Sequence, residues 1–271
     1  MPVTMSMEFR FLELQHYDNG PHFERFNKVA EARRREATLL LPKGVSSQEF
    51  FDTFLKGVIA ALEQRRYLPI ARFCDGEYSF YSGRVTNTCW GESQSSLHAP
   101  GVEKLHLEAL RLIAQEGLIC PNLNLMYLGL QSDFLEYLSQ RGMPLKNYAP
   151  FYFVYALLVN PLFLGSLRGR NVALVTSFTN KSLPRILTVL QAHGVGNIEV
   201  CEIPSSGVAH GEFTLNLARK ADVAFVGAGT GAPLVLAALR RHASLAIDAG
   251  FVYHLWDGTF DRYERLFLNY V

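Results

Sequence analysis

Four short apolar runs dominate the last hundred residues: Val172–Thr176, Ile198–Ile203, Val223–Val226 and Leu245–Ile247. Helical patterns separate them. The first carries Leu183, Ile186, Leu187 and Leu190 on one face and ends at Gly194. A strand–helix repeat of about 20–26 residues predicts right-handed βαβ crossovers and a parallel sheet. In such sheets ligands bind where strands end and helices begin.

Upstream, Ser46 and Glu49 form an S-x-x-E capping box that opens a helix. Phe50, Phe51, Phe54, Leu55, Val58, Ile59 and Leu62 follow at helical spacing, and Pro69 is expected to end the segment. Leu68–Phe73 then reads as a short buried strand that runs straight into Cys74-Asp75-Gly76-Glu77. The middle, about 78–165, is predicted mostly helical, with a helix near 101–116, a strand at Leu118–Cys120 and a helix near 131–141. Residues 1–44 are charged and irregular, and read as an N-terminal extension whose Arg33, Arg34 and Arg35 form a solvated face. Residues 45–271 read as one domain. The expected fold class is α/β: a Rossmann-like parallel sheet flanked by helices, with a mostly helical middle insertion.

One segment asks for a decision. Asn147–Leu167 carries no charge, and its length suits a membrane span. Pro150, Asn160, Pro161 and Gly165 interrupt it, so a buried helix, a subunit contact or a membrane-surface patch is expected instead. A homodimer and peripheral membrane contact follow as expectations.

Composition narrows the class further. Hydrophobic residues make up 49% and charged residues 19%, which excludes a disordered chain. Net charge is +1, so bulk attraction to nucleic acid is not expected. Cys74, Cys89, Cys120 and Cys201 lie far apart without zinc-ligand spacing. Scattered thiols and an N-terminus without a secretory pattern point to the cytoplasm, at the inner face of the membrane if the apolar patch is used there.

Four motifs carry candidate chemistry. Asp75-Gly76-Glu77 follows a strand; two carboxylates with a small residue between can turn toward one Mn²⁺ or Mg²⁺ and leave open positions for diphosphate oxygens. Arg72 precedes them. Gly227-Ala228-Gly229-Thr230-Gly231-Ala232-Pro233 follows another strand and opens the helix Leu234–Arg240, where glycines let backbone approach phosphate. The loop Ser177-Phe178-Thr179-Asn180-Lys181-Ser182 offers hydroxyls and Lys181, although Asn180 or Ser182 also suits a helix cap. Pro204-Ser205-Ser206 precedes an expected helix, capped by Ser206, that carries His210 and Glu212, either a candidate general base. Neither a G-x-S-x-G elbow nor a P-loop is present.

In order, these motifs resemble a known family. Arg72-Phe73-Cys74-Asp75-Gly76-Glu77 is similar to the R-[FY]-G-D-G-E signature of the GT-D-fold glycosyltransferases. Asp222 through Gly229-Thr230-Gly231-Ala232-Pro233 to Ala246-Ile247-Asp248-Ala249-Gly250 resembles that family's strand, loop, helix and closing I-D-x-G. The resemblance covers roughly residues 45–260. It implies a nucleotide-sugar donor, typically UDP-linked, and a glycan, glycolipid or glycoprotein acceptor. It makes Asp75 and Glu77 the metal and diphosphate residues, and lines the donor pocket with Gly229, Thr230 and Gly231, with Asp248 nearby. Cys74 replaces the usual glycine, and Phe251 stands where many relatives have His, with His254 close behind.

Two other readings compete. Gly227–Ala232 also satisfies G-x-G-x-x-A with Asp248 about 20 residues on, the fingerprint of an NAD(P)- or flavin-dependent enzyme. Only 23 residues follow Asp248, too few for the remaining strands of a dinucleotide domain that starts at this turn. A non-catalytic nucleotide-binding protein is the third.

Overall fold

The structure, a computed structural model, describes residues 9–11, 40–42, 47–73, 75–82, 101–121, 136–143, 148–177, 183–250 and Trp256. Ser46, Cys74, Asn180, Lys181, Ser182, Phe251 and the arginine run 33–35 lie outside these residues. Two short strands, β1 (Phe9–Phe11) and β2 (Leu40–Pro42), pair antiparallel inside the stretch expected to be irregular. Helix α1 (Ser47–Glu63) buries Phe50, Phe51, Phe54, Leu55, Val58 and Leu62, the stripe its spacing predicts. It ends at Glu63, before Pro69. Arg65 in the following turn has a positive φ of 51°, which stops the helix there. Pro69 instead sits within strand β3 (Leu68–Phe73).

After β3 come α2 (Asp75–Ser82), α3 (Val102–Glu116), β4 (Leu118–Pro121) and a short helix α4 at 136–140. The uncharged segment then folds as α5 (Tyr152–Val159) and α6 (Pro161–Ser166). Asn160 breaks it: its backbone is extended, and its side chain accepts hydrogen bonds from the Leu162 and Phe163 N–H groups. Phe153, Leu157, Leu158 and Phe163 are buried, so the segment serves the core, although Leu162 remains 68% exposed. No helix among the described residues is long and apolar enough to cross a membrane.

The remaining elements are β5 (Asn171–Thr176), α7 (Leu183–Ala192), β6 (Asn197–Glu202), β7 (Ala221–Gly227), α8 (Ala232–Ala238) and β8 (Ala243–Asp248). Helix α8 thus begins two residues earlier than the apolar pattern suggests, because Pro233 suits its first turn. Strands β3 to β8 form one six-stranded parallel sheet in the order β4-β3-β8-β7-β5-β6. The chain is an α/β protein of Rossmann-like type. The inner strands β3, β7 and β8 are buried along their whole length, as strands covered on both faces must be.

Crossovers toward the β4 edge (β3 to β4, β6 to β7, β7 to β8) pack on one face, with α2, α3 and α8. Toward the β6 edge, α5 and α6 of the β4-to-β5 connection and α7 of the β5-to-β6 connection pack on the other face with α1, while α4, also between β4 and β5, stays on the first face through Tyr137 and Leu138. A single hand of crossover demands this sorting. One crossover departs from expectation. Between β6 and β7 there is no α-helix after Ser206, only one tight turn at Val208–His210. Gly207 and Gly211 bracket that turn at φ of 80° and 84°, a left-handed backbone that ends a helix at both sides. Apolar burial continues without the helix: Val208 and Ala209 are buried, with Phe213, Leu215 and Leu217 packed beside them.

Candidate functional site

All six strands are parallel, so the loops after β3, β5, β7 and β8 share one edge of the sheet. Adjacent strands β5 and β7 send the chain to opposite faces, toward α7 and α8 respectively. Such a divergence opens a crevice at the strand ends. Ser177 lies on one side of it and Gly227-Ala228-Gly229 on the other.

The glycine segment after β7 is a tight turn at Gly229–Gly231 that feeds α8. Its glycines serve different needs. Gly229 has φ 51°, while a Cβ there meets nothing within 4 Å, so conformation demands the residue. At Gly231 space demands it: a Cβ lies 2.6 Å from Val208 Cγ1 and 2.8 and 2.9 Å from the Val208 and Ala209 backbone. The turn Val208–His210 therefore stacks directly on the glycine turn. Gly231→Ala is expected to cost about 1–3 kcal/mol through overpacking. Gly229→Ala costs only the left-handed backbone, about 1–2 kcal/mol. Thermal unfolding of both variants checks this; equal stability of Gly231→Ala and the parent contradicts the stacking.

Asp75, Gly76 and Glu77 follow β3, as expected, and form the first turn of a helix. That placement constrains their chemistry. Positions 75 and 77 lie about 200° apart around the helix axis, so flanking acids there do not face one another. Cα–Cβ bonds tilt toward a helix N-terminus, which in α2 is the end nearest β3. Helix α2 also approaches the Gly229–Gly231 turn, with Cα atoms within 8 Å. Two elements about 150 residues apart in sequence are thus neighbours. A Cβ on Gly76 meets nothing within 4 Å among the described residues, and its φ is not positive. Among the described residues neither packing nor a positive φ accounts for that glycine.

Arg72 and Asp248 pair with each other. Arg72 lies in β3 and Asp248 at the end of the neighbouring β8; they are 8% and 3% exposed. The Arg72 backbone N–H donates to Asp248 Oδ2 at 3.2 Å, Nε donates to the Asp248 carbonyl at 2.7 Å, and Nη2 reaches Oδ1 at 3.4 Å. The guanidinium also lies over the Tyr155 ring, 5.6 Å from its centroid. Burial raises the Asp248 carboxyl above its ordinary range, and the Arg72 charge and N–H groups oppose that rise. A Cβ on Gly250 would collide with the Arg72 guanidinium, so the closing glycine makes room for it. Asp248 is therefore turned inward to Arg72 and is not displayed to a ribose hydroxyl as a dinucleotide fingerprint requires.

His210 and Glu212 are exposed near the same edge. His210 closes the turn stacked on Gly229–Gly231, whereas the Glu212 carboxylate folds back over Gly207. Thr230 is half-buried and Gly227 is buried at the tip of β7.

The sequence reading missed one group. His106 on α3 is fully buried. Its Nε2 lies 2.8 Å from the Ala209 carbonyl and its Nδ1 lies 2.7 Å from the Tyr81 hydroxyl. A carbonyl only accepts, so Nε2 carries the proton; Nδ1 of the neutral ring then accepts from Tyr81. Burial holds the imidazole neutral, with its pKa lowered to about 4. The signal was present: His106 stands on the apolar stripe of α3, between Val102 and Ala109–Leu110. A polar residue there needs partners, which lie far away in sequence.

Among the described residues no three or more His, Cys, Asp or Glu gather as a metal cluster. No protein-family model, curated protein or solved structure matches this chain.

Proposed function

We propose that the chain is a glycosyltransferase that moves a sugar from a nucleotide-diphosphate sugar, UDP-linked in the first instance, to a hydroxyl of a glycan, glycolipid or glycoprotein. The observation that carries this reading is the approach of helix α2, with Asp75 and Glu77 in its first turn, to the Gly229–Gly231 turn at the ligand-binding edge. It is supported by Gly76 and Gly229, where nothing among the described residues lies within 4 Å of a Cβ, since glycine without a packing role suits close approach of a ligand to backbone.

Mn²⁺ or Mg²⁺, when bound, supplies positive charge to the departing diphosphate. Asp75 and Glu77, in the first turn of α2, are the residues that would hold it. The Gly229-Thr230-Gly231 backbone orients the diphosphate from the β7 side. Arg72 and Asp248 lock the ends of β3 and β8 together and so fix the position from which α2 starts. His210, exposed beside the glycine turn, would take the proton of the acceptor hydroxyl.

Gly76→Ala tests the reading, because structure and function pull in opposite directions. Glycine inside a helix is less stable than alanine by about 0.5–1 kcal/mol, and nothing described crowds a Cβ here. The variant is expected to unfold at higher temperature yet to bind UDP with Mn²⁺ several-fold more weakly in calorimetry. Tighter folding with unchanged UDP binding counts against a ligand at Gly76. A parent that binds NADH but not UDP, with or without Mn²⁺, overturns the glycosyltransferase reading.

A further inference from the structure

Helix α2 is only 8 residues long and follows a strand end, so its placement depends on what holds its far end. Tyr81 lies in its last turn and is buried. Its ring stacks edge-on with Phe80 and His106, with centroids 5.3 and 5.5 Å apart. Its hydroxyl meets His106 Nδ1, and His106 Nε2 meets the carbonyl of Ala209. Ala209 belongs to the turn stacked on Gly231. One buried side chain thus joins three elements, including the acid-bearing helix and the turn behind the glycine segment. Three apolar contacts would hold the same elements with rotational freedom; two directional hydrogen bonds fix their distance and angle.

We propose that His106 is a positioning residue that, as the Nε2–H tautomer, fixes helix α2 against the Val208–His210 turn and thereby sets the gap between positions 75–77 and the glycine turn. That this gap takes a cation and a nucleotide diphosphate rests on the function proposed above; the joining of the two elements does not.

The test uses the full chain and three variants: His106→Leu, which removes both hydrogen bonds; His106→Gln, which keeps an N–H donor; and Tyr81→Phe, which removes one hydroxyl. Hydrogen exchange is measured at the amides of 75–82 and 207–211, Mn²⁺–UDP binding by calorimetry, and the parent tautomer by long-range proton–nitrogen NMR. The parent is expected to show a protonated Nε2 and a bare Nδ1. His106→Leu exchanges both segments about tenfold faster and weakens Mn²⁺–UDP about tenfold, the scale of one buried hydrogen bond. Tyr81→Phe affects 75–82 alone, and His106→Gln lies between parent and His106→Leu. If His106→Leu does not fold, Tyr81→Phe decides.

An Nδ1–H tautomer, or parental exchange at 75–82 in Tyr81→Phe, overturns the inference. Faster exchange with parental Mn²⁺–UDP affinity also overturns it, since His106 would then serve folding alone. If the parent itself binds no Mn²⁺–UDP, the nucleotide reading fails, and exchange and tautomer still decide whether His106 joins α2 to the turn.

Discussion

Arg72→Met is expected to lower the unfolding free energy by about 3–5 kcal/mol at neutral pH, because it strands a buried carboxylate. The midpoint of thermal unfolding should fall by roughly 10 °C for a chain of this size. The pH dependence gives the sharper signature. Burial already raises the Asp248 carboxyl, and Arg72 opposes the rise. A carboxyl raised on folding contributes its full stability below its unfolded pKa and loses it as pH climbs through the folded pKa. Without Arg72 the folded pKa climbs further, and ionisation opposes folding over a wider range. The gap between Arg72→Met and parent should therefore be small near about pH 4 and grow toward about pH 8. Asp248→Asn removes the titrating group and leaves Arg72 without its anion, so its loss should not shrink toward acid pH. Urea unfolding across this range measures both. An Arg72→Met loss under about 1 kcal/mol, or one that grows toward acid pH, removes the pair from its structural role.

The second large effect concerns turnover. Asp75→Asn and Glu77→Gln keep size and shape while removing charge. Each is expected to cut sugar transfer or donor hydrolysis by about 10²–10³-fold, the scale of losing one group that stabilises developing charge. Stability should change by no more than about 0.3–1 kcal/mol, the worth of an acid at a helix N-terminus. The bland alternative makes a different forecast. If the two acids only complement the dipole of α2, both variants lose that small stability and keep full turnover. Assays of turnover and unfolding on the same preparations separate the cases. The Mn²⁺ concentration for half-maximal rate should rise in both variants if the acids hold the cation.

Much of the architecture could be read before any coordinates. Continuous apolar runs marked β5, β6, β7 and β8, and their spacing predicted parallel crossovers. Failures arose where local pattern and local conformation part company. Ser206 looks like a helix cap, yet Gly207 and Gly211 hold a single turn between them. Asp75-Gly76-Glu77 carries no helical stripe of its own, yet Phe80 and Tyr81 bury in the core and the segment is a helix. Arg72 and Asp248, two candidates for donor binding, bond to each other, a pairing that no local pattern marks.

The sequence alone determined where the sheet strands and the helices α1, α3 and α7 lie, because burial on a sheet or helix face imposes a short repeat that neighbouring residues must obey. It also placed Asp75, Glu77 and Gly229–Gly231 at strand ends. Only the tertiary structure decided that β8 inserts between β3 and β7, and this insertion brings Arg72 to Asp248 across 176 residues and β3 near β7. It likewise brought His106 to Ala209 across 103 residues. The physical reason is that strand adjacency and buried polar pairing depend on which surfaces meet when the sheet closes up, and that choice leaves no periodic trace along the chain.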